Sequence, residues 1–131
     1  MFIRFSDVLN NLLKETYMTT FHDLGLPGDI LATLDNIGFT TPTPIQEQAI
    51  PVALAGHDIL GSAQTGTGKT AAFVLPMIKH LTENPASTAL ILLPTRELAQ
   101  QVQDSCRLML GRQLNPRCLS AERECPRSCA S

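Results

Sequence analysis

The sequence has no apolar run of about 18 residues, and this absence excludes a transmembrane helix. Residues 1–17 have apolar side chains at helical spacing, but Asp7, Asn10 and Asn11 interrupt them. They therefore lack the apolar core of a secretory signal, and we expect a weak amphipathic helix without chemistry. With neither signal nor span, we expect a cytoplasmic protein that makes no use of a membrane.

A large excess of basic charge is also missing. Ten Lys and Arg residues against 12 Asp and Glu residues give a net charge of −2, so any nucleic-acid contact must be local. The four cysteines all follow residue 105, at positions Cys106, Cys118, Cys125 and Cys129. The last three lack the paired C-x-x-C spacing of a zinc site, so no structural metal is expected. A length of 131 residues allows one domain of ordinary size.

The apolar pattern predicts an α/β fold. Two short apolar runs are typical of buried strands and cover residues 58–63 and 88–94. Helical spacing of apolar residues predicts helices over residues 29–37, 45–55, 71–81 and 96–110. The order strand, helix, strand, helix indicates a right-handed βαβ unit with parallel strands. Because neither strand alternates with polar residues, both faces of the sheet are expected to be covered.

The stretch AQTGTGKT (63–70) lies between the first predicted strand and the helix that follows it. Gly66 and Gly68 permit a backbone that turns its N–H groups around a phosphate. Lys69 supplies a cation for the β- and γ-phosphates, and Thr70 supplies a hydroxyl for Mg²⁺. The positive end of the following helix adds to this attraction. The stretch therefore predicts a phosphate-binding loop.

Ala63 stands where the strict phosphate-loop pattern has glycine. The alternative interpretation of the stretch is a glycine-rich turn between a strand and a helix, which needs no ligand. The Lys-Thr pair at the correct offset favours phosphate binding over that alternative.

Two further stretches carry candidate polar residues. The stretch GFTTPTPIQ (38–46) ends in Gln46, whose amide can read one edge of adenine, although this stretch taken alone favours a surface helix glutamine with no ligand. The stretch PTRELAQ (94–100) places Thr95 and Arg96 at a helix start after the second strand, where α/β sheets bind ligands. Arg96 suits a phosphate backbone, or it pairs with a neighbouring acid.

The order and spacing of these three stretches resemble the first part of a DEAD-box RNA helicase core, over roughly residues 19–110. GFTTPTPIQ is similar to the Q motif of that family, AQTGTGKT to motif I, where alanine is a common first residue, and PTRELAQ to motif Ia. The resemblance implies an incomplete RecA-like P-loop domain with parallel strands and flanking helices. It also implies ATP and Mg²⁺ as cofactors and RNA as a partner.

The family assigns roles to the matching positions. Phe21, 17 residues before Gly38, would pack against the base, and Gln46 would read the adenine edge with support from Thr43. The whole nucleotide-binding set implied by the resemblance is Phe21, Thr43, Gln46, Ala63, Gln64, Thr65, Gly66, Thr67, Gly68, Lys69 and Thr70. Within that set the Thr70 hydroxyl would contact Mg²⁺. The RNA sugar-phosphate backbone would meet Pro94, Thr95 and Arg96.

The acidic pair that the family uses for hydrolysis is missing, because no two acidic residues are adjacent anywhere in the chain. A carboxylate on Mg²⁺ and a group that positions water are required for hydrolysis, and the resemblance assigns both to the D-E-A-D sequence. The second RecA-like domain is absent as well. We therefore expect ATP binding and RNA contact, without hydrolysis or unwinding by these residues alone. Two alternatives are an ATP-binding module and a non-functional product of a truncated or frameshifted gene.

These observations predict three segments. Residues 1–17 form an extension, 18–114 a partial ATP-binding RecA-like domain with the Q motif near 19–47, and 115–131 an irregular tail. Met18 could itself be a translation start. Arginines, prolines and cysteines without periodicity in the tail favour a frameshifted reading over a functional appendage. With only two strands of the sheet in the sequence, we expect exposed apolar surface and marginal stability.

Overall fold

The computed structural model describes residues 19–111. The extension predicted at 1–17 and the tail predicted at 115–131 lie outside these residues, so the domain limits at 18 and 114 stay predictions. Within residues 19–111, none of the helices combines the length and hydropathy that a membrane span requires.

The described part of the chain contains four α-helices and one short 3₁₀ helix. In chain order they are the 3₁₀ helix Phe21–Leu24, α1 Gly28–Asn36, α2 Pro44–Leu54, α3 Lys69–Glu83 and α4 Arg96–Leu110. All four helices predicted from apolar spacing are confirmed, with ends within two residues of the predicted positions. The 3₁₀ helix was not predicted, because four residues are too few to show periodicity.

The 3₁₀ helix is fixed at its start by a local hydrogen-bond pair. The backbone N–H and the hydroxyl of Thr20 both donate to Asp23 Oδ2 at 2.8 Å. These two bonds, the backbone one first, hold the pKa of Asp23 below its ordinary value. The turn buries Phe21 and Leu24, and His22 Nε2 lies 3.6 Å from Asp35 Oδ2 at the end of α1.

Helix α3 is the centre of the packing, because it contacts both α2 and α4. Its residues Val74, Leu75 and Ile78 are at most 1% exposed and meet the buried Ile50 of α2. Helix α1 packs against α4. Cys106 of α4 is a free thiol in the same cluster, and burial raises its pKa. The phosphate-loop candidate thus leads directly into the best-packed helix.

The two predicted strands are not formed as paired strands: no residue between 19 and 111 is assigned to a β-strand. A strand exists through its ladder of backbone hydrogen bonds, and neither segment has such a ladder here. The parallel sheet and the right-handed βαβ unit therefore stay predictions. The expected helices on either side of the segments are present.

The expectation that both faces of these segments are covered is wrong. Ile91 and Leu93 pack against the core, whereas Leu90 and Leu92 between them are 83% and 82% exposed. Leu60 in the earlier segment is fully exposed. Burial thus alternates from one residue to the next, which shows that the later segment is extended, with one face on the helices and the other in solvent. These exposed leucines confirm the prediction that the incomplete sheet leaves apolar surface in solvent.

The contrast between the two faces gives a stability test. We expect Leu75→Ala to lower the free energy of unfolding by about 2–5 kcal/mol, because Leu75 is fully buried and its truncation leaves a cavity. Leu92→Ala should change the free energy by less than about 0.5 kcal/mol, since its side chain is mostly in solvent. Urea unfolding followed by far-UV circular dichroism measures both. Equal losses for the two variants would contradict the packing described.

Candidate nucleotide-binding site

The loop between the first apolar segment and α3 is shaped by two glycines. Gly66 and Gly68 have φ of 79° and 83°, a left-handed conformation that side chains disfavour. Between them, the Thr67 hydroxyl donates to the Gln64 carbonyl at 2.7 Å and closes the turn. Helix α3 then begins at Lys69 with Gly68 as its N-cap, so the first N–H groups of the helix point toward the loop.

Lys69 reaches back across this loop. Its side chain is exposed, and its ammonium group donates a hydrogen bond to the carbonyl of Ala63. An anion that binds at the loop would offer the ammonium a charged acceptor in exchange for that carbonyl, and charged acceptors make the stronger bond. Thr70, the second residue of α3, is partly buried next to it.

The start of α2 holds the loop through two hydrogen bonds. The Thr43 hydroxyl donates to the Thr67 carbonyl at 2.8 Å, and Gln46 Nε2 donates to the Gly68 carbonyl at 3.1 Å. Gln46 Oε1 also accepts from the backbone N–H of Thr43 at 2.9 Å, which caps α2. These two bonds join residues that are far apart in the sequence, with separations of 24 and 22 positions respectively. The structure brings together the two stretches that the sequence singled out separately.

Gln46 is 3% exposed, so the alternative of a surface glutamine is wrong. A buried amide must have partners, and the loop and the helix cap supply them. Each amide atom keeps a second hydrogen-bonding position, because Nε2 has two N–H groups and Oε1 two lone pairs. The predicted contact with adenine stays a prediction.

Phe21 lies in the core rather than at a surface. It is 2% exposed, and its ring centroid is 6.4 Å from that of Phe39, with the planes tilted by 59°. Phe39 is only partly buried, so it is the ring of this pair that reaches solvent. Phe39 is not among the site residues predicted from the sequence, although its place in the stretch 38–46, next to Gly38, could have indicated it. Contact of Phe21 with a base stays a prediction.

The loop fits a nucleotide phosphate in shape and in chemistry. A Cβ added at Gly68 would lie 2.4 Å from Gln46 Nε2, whereas one at Gly66 would meet nothing within 4 Å. The Gly66 side is therefore open to a ligand, and the Gly68 side is closed by protein. Residues 19–111 hold no group of three His, Cys, Asp or Glu side chains that could bind a metal ion alone. Any Mg²⁺ here would depend on phosphate oxygens together with the Thr70 hydroxyl.

The candidate RNA-contact residues form a second, separate surface. Pro94, Thr95 and Arg96 are all exposed at the start of α4. The Thr95 hydroxyl accepts from the Leu98 N–H at 3.3 Å and so serves as the N-cap of the helix. Arg96 forms no ion pair within residues 19–111, so the alternative of a pair with a neighbouring acid finds no support there. No hydrogen bond in the described part links this surface to the loop.

A family model described as DEAD/DEAH box helicase matches residues 43–125. The DEAD-box ATP-dependent RNA helicase RhpA of Helicobacter pylori (strain B128) is 54% identical over 85 residues, which cover 65% of this chain and 17% of that protein. The ATP-dependent RNA helicase SrmB of Escherichia coli (strain K12) is 54% identical over 95 residues, covering 69% and 21%. The chain thus spans about a fifth of the length of these curated relatives.

Two solved structures match the described fold. A DEAD box protein from Methanococcus jannaschii superposes with a TM-score of 0.69 at 43% identity, covering 75% of this chain and 27% of that one. The RNA helicase Prp28 from Chaetomium thermophilum, solved with ADP bound, gives a TM-score of 0.65 at 44% identity, covering 70% and 24%. The described residues therefore have the fold of part of these proteins.

The two loop glycines provide a matched pair of variants. Gly66→Ala and Gly68→Ala both place a side chain at positive φ, at a cost of about 1–2 kcal/mol each. We expect Gly68→Ala to lower the free energy of unfolding by about 1–3 kcal/mol more than Gly66→Ala, because its Cβ would displace the Gln46 amide from its hydrogen bonds. Urea unfolding of each variant, alone and with Gln46→Ala, measures the difference. If the extra cost persists in the Gln46→Ala background, the clash is not its cause.

Proposed function

Because this chain belongs to the DEAD/DEAH box helicase family, we propose that residues 63–70 hold the phosphates of ATP. The observation that carries the proposal is the loop itself, whose glycine backbone opens at Gly66 and leads into the start of α3. An anion in this position meets the unpaired N–H groups and the positive end of a 15-residue helix. The two bonds from α2 keep the loop in that shape.

The roles of the neighbouring side chains follow from their chemistry. Lys69 exchanges its bond to the Ala63 carbonyl for a phosphate oxygen and neutralises part of the triphosphate charge. The Thr70 hydroxyl would help to hold Mg²⁺, which would neutralise further charge of the triphosphate. Gln46 contacts the adenine edge with support from Thr43. Phe21, which lies in the core, packs against the base from that side. Ala63, Gln64 and Thr65 line the entry to the loop.

We propose that ATP is bound here without being hydrolysed at an appreciable rate. Hydrolysis needs a carboxylate that orients Mg²⁺ and a group that positions the attacking water. No two acidic residues are adjacent in the chain, so the acidic pair typical of the family has no counterpart. This chain would keep the nucleotide-binding loop of these helicases without the groups that hydrolysis requires. A non-functional product of a disrupted gene is the alternative.

The finer features of the fold are proposals of the same kind. Residues 58–63 and 88–94 occupy the positions of two parallel strands in an incomplete RecA-like domain, and the similarity to the two DEAD-box structures supports this assignment. The domain limits at residues 18 and 114 and a cytoplasmic location belong to the same interpretation.

The start of α4 is the proposed RNA contact. Pro94, Thr95 and Arg96 are exposed at the N-terminus of α4, and within residues 19–111 the Arg96 guanidinium has no acidic partner. Phosphates of a nucleic-acid backbone are bound by such groups, independently of base sequence. We propose that this surface contacts the RNA sugar-phosphate backbone.

Nucleotide binding is tested by paired lysine variants of α3. We expect Lys69→Ala to weaken binding of a fluorescent ATP analogue by about 10–100-fold, because one charged hydrogen bond to phosphate contributes about 1.5–3 kcal/mol. Lys79→Ala is the control, since Lys79 lies on the same helix and pairs with Glu83 at 2.7 Å. Titration by fluorescence anisotropy gives both affinities.

The same titration separates the competing functions. A folded chain that binds no nucleotide would support the non-functional product, and equal loss in both lysine variants would place the nucleotide elsewhere. Phosphate release measured with and without RNA tests turnover. RNA-stimulated release that disappears in Lys69→Ala would overturn the proposal that ATP is held without hydrolysis.

RNA contact is tested by two arginine variants of α4. We expect Arg96→Ala to weaken binding of single-stranded RNA and to reduce the slope of log affinity against log salt by about 1, as the loss of one phosphate contact requires. Arg107→Ala should leave both quantities unchanged, because Arg107 is near the other end of the helix and 3.4 Å from Asp104. Filter binding over a salt series provides the measurement. Identical behaviour of the two variants would exclude this surface.

A further inference from the structure

Thr67 makes hydrogen bonds in two directions from the middle of the loop. Its hydroxyl donates to the Gln64 carbonyl at 2.7 Å, and its own carbonyl accepts from the Thr43 hydroxyl at 2.8 Å. The geometry points to Thr67 as the positioning residue of the phosphate loop, whose hydroxyl directs backbone N–H groups toward the phosphates while its side chain does not contact them. This inference rests on the proposed function, because it requires that residues 63–70 bind the phosphates of ATP.

Each of the two hydrogen bonds fixes the direction of one peptide unit. Residues 19–111 contain no cis peptide bond, and the C=O and N–H groups of a planar trans peptide point in opposite directions. The bond to the Gln64 carbonyl therefore turns the Thr65 N–H away from the Thr67 side chain. In the same way, the bond that holds the Thr67 carbonyl turns the Gly68 N–H away from Thr43.

The two N–H groups that are directed in this way are available to a ligand. Within the described residues, neither the Thr65 N–H nor the Gly68 N–H donates a hydrogen bond. Gly66 lies between them, and the space beside it is open, since an added Cβ would meet nothing within 4 Å. Successive backbone N–H groups around such an opening form a concavity that binds anions. A phosphate would supply the acceptors that these groups lack.

The Thr67 hydroxyl is already committed to the protein. A threonine hydroxyl has one proton, and here the Gln64 carbonyl receives it, so the side chain cannot donate to a phosphate as well. The bond spans three residues and closes the turn that contains Gly66, which has a left-handed φ of 79°. The side chain of Thr67 therefore acts on a phosphate through the peptide between Gln64 and Thr65.

This role is tested in the full chain with the fluorescent ATP analogue. We expect Thr67→Val, which keeps the shape and removes the hydroxyl, to raise the dissociation constant about 3–10-fold, as the loss of one neutral hydrogen bond would. Thr67→Ser should recover the wild-type affinity, because serine keeps the hydroxyl. Thr82→Val is the matched control, since the Thr82 hydroxyl donates to the Ile78 carbonyl at 2.8 Å near the other end of α3. It should leave the dissociation constant unchanged.

Nuclear magnetic resonance of the wild-type chain supplies a measurement that does not rely on a variant. A hydroxyl held by the Gln64 carbonyl confines the Thr67 side chain to one χ1 rotamer, and three-bond couplings across its Cα–Cβ bond report that rotamer. We expect a single rotamer that stays the same when ATP is added. Averaged couplings would overturn the inference. A change of rotamer with ATP would also overturn it, because the hydroxyl would then have left Gln64 for the phosphate.

The outcomes separate this inference from the proposed function. Wild-type binding that Thr67→Val leaves intact, or that Thr67→Ser and Thr67→Val weaken equally, would overturn the inference alone. So would a loss in Thr82→Val as large as that in Thr67→Val. A wild-type chain that does not bind the analogue would overturn the proposed function and this inference with it. Far-UV circular dichroism verifies folding, and the coupling measurement decides the matter if Thr67→Val does not fold.

Discussion

Two carbonyl oxygens, those of Thr67 and Gly68, are the acceptors on which the rest of the site depends. Each receives a side-chain hydrogen bond from the start of α2, and Gly68 also accepts the first backbone bond of α3, from the Ala72 N–H. The bonds join the starts of two helices that otherwise meet through apolar packing. They also determine where the N-terminus of α3 points. The loop geometry is therefore a property of the helix pair and not of the loop sequence alone.

The parts of the molecule that depend on local sequence were predictable. Apolar side chains at helical spacing gave all four α-helices, because each helix buries a face that its own residues define. The loop was predictable from Gly66, Gly68 and Lys69, because the required backbone conformation and charge are properties of those residues. The family was evident from the order of three short stretches.

The parts that depend on distant residues were not predictable. Glutamine is a residue type usually found at the surface, and only the tertiary contact with Gly68 explains why Gln46 is buried. The burial of Phe21 was not predictable either, because the 3₁₀ helix that places its ring in the core is too short to show periodicity. The two apolar runs have the sequence of buried strands. Burial requires neighbours on both sides, and the described residues cover only the face that carries Ile91 and Leu93.

The hydrogen bond from Gln46 to the Gly68 carbonyl limits which residues position 46 can tolerate. Glutamate has nearly the same shape, but its carboxylate would present an acceptor to an acceptor and would also be buried with a charge. Leucine fills a similar volume and leaves both the carbonyl and the Thr43 N–H without their side-chain partner. The position therefore accepts an amide and rejects its closest isosteres, and the hydrogen bonds within the protein impose this restriction before any ligand binds.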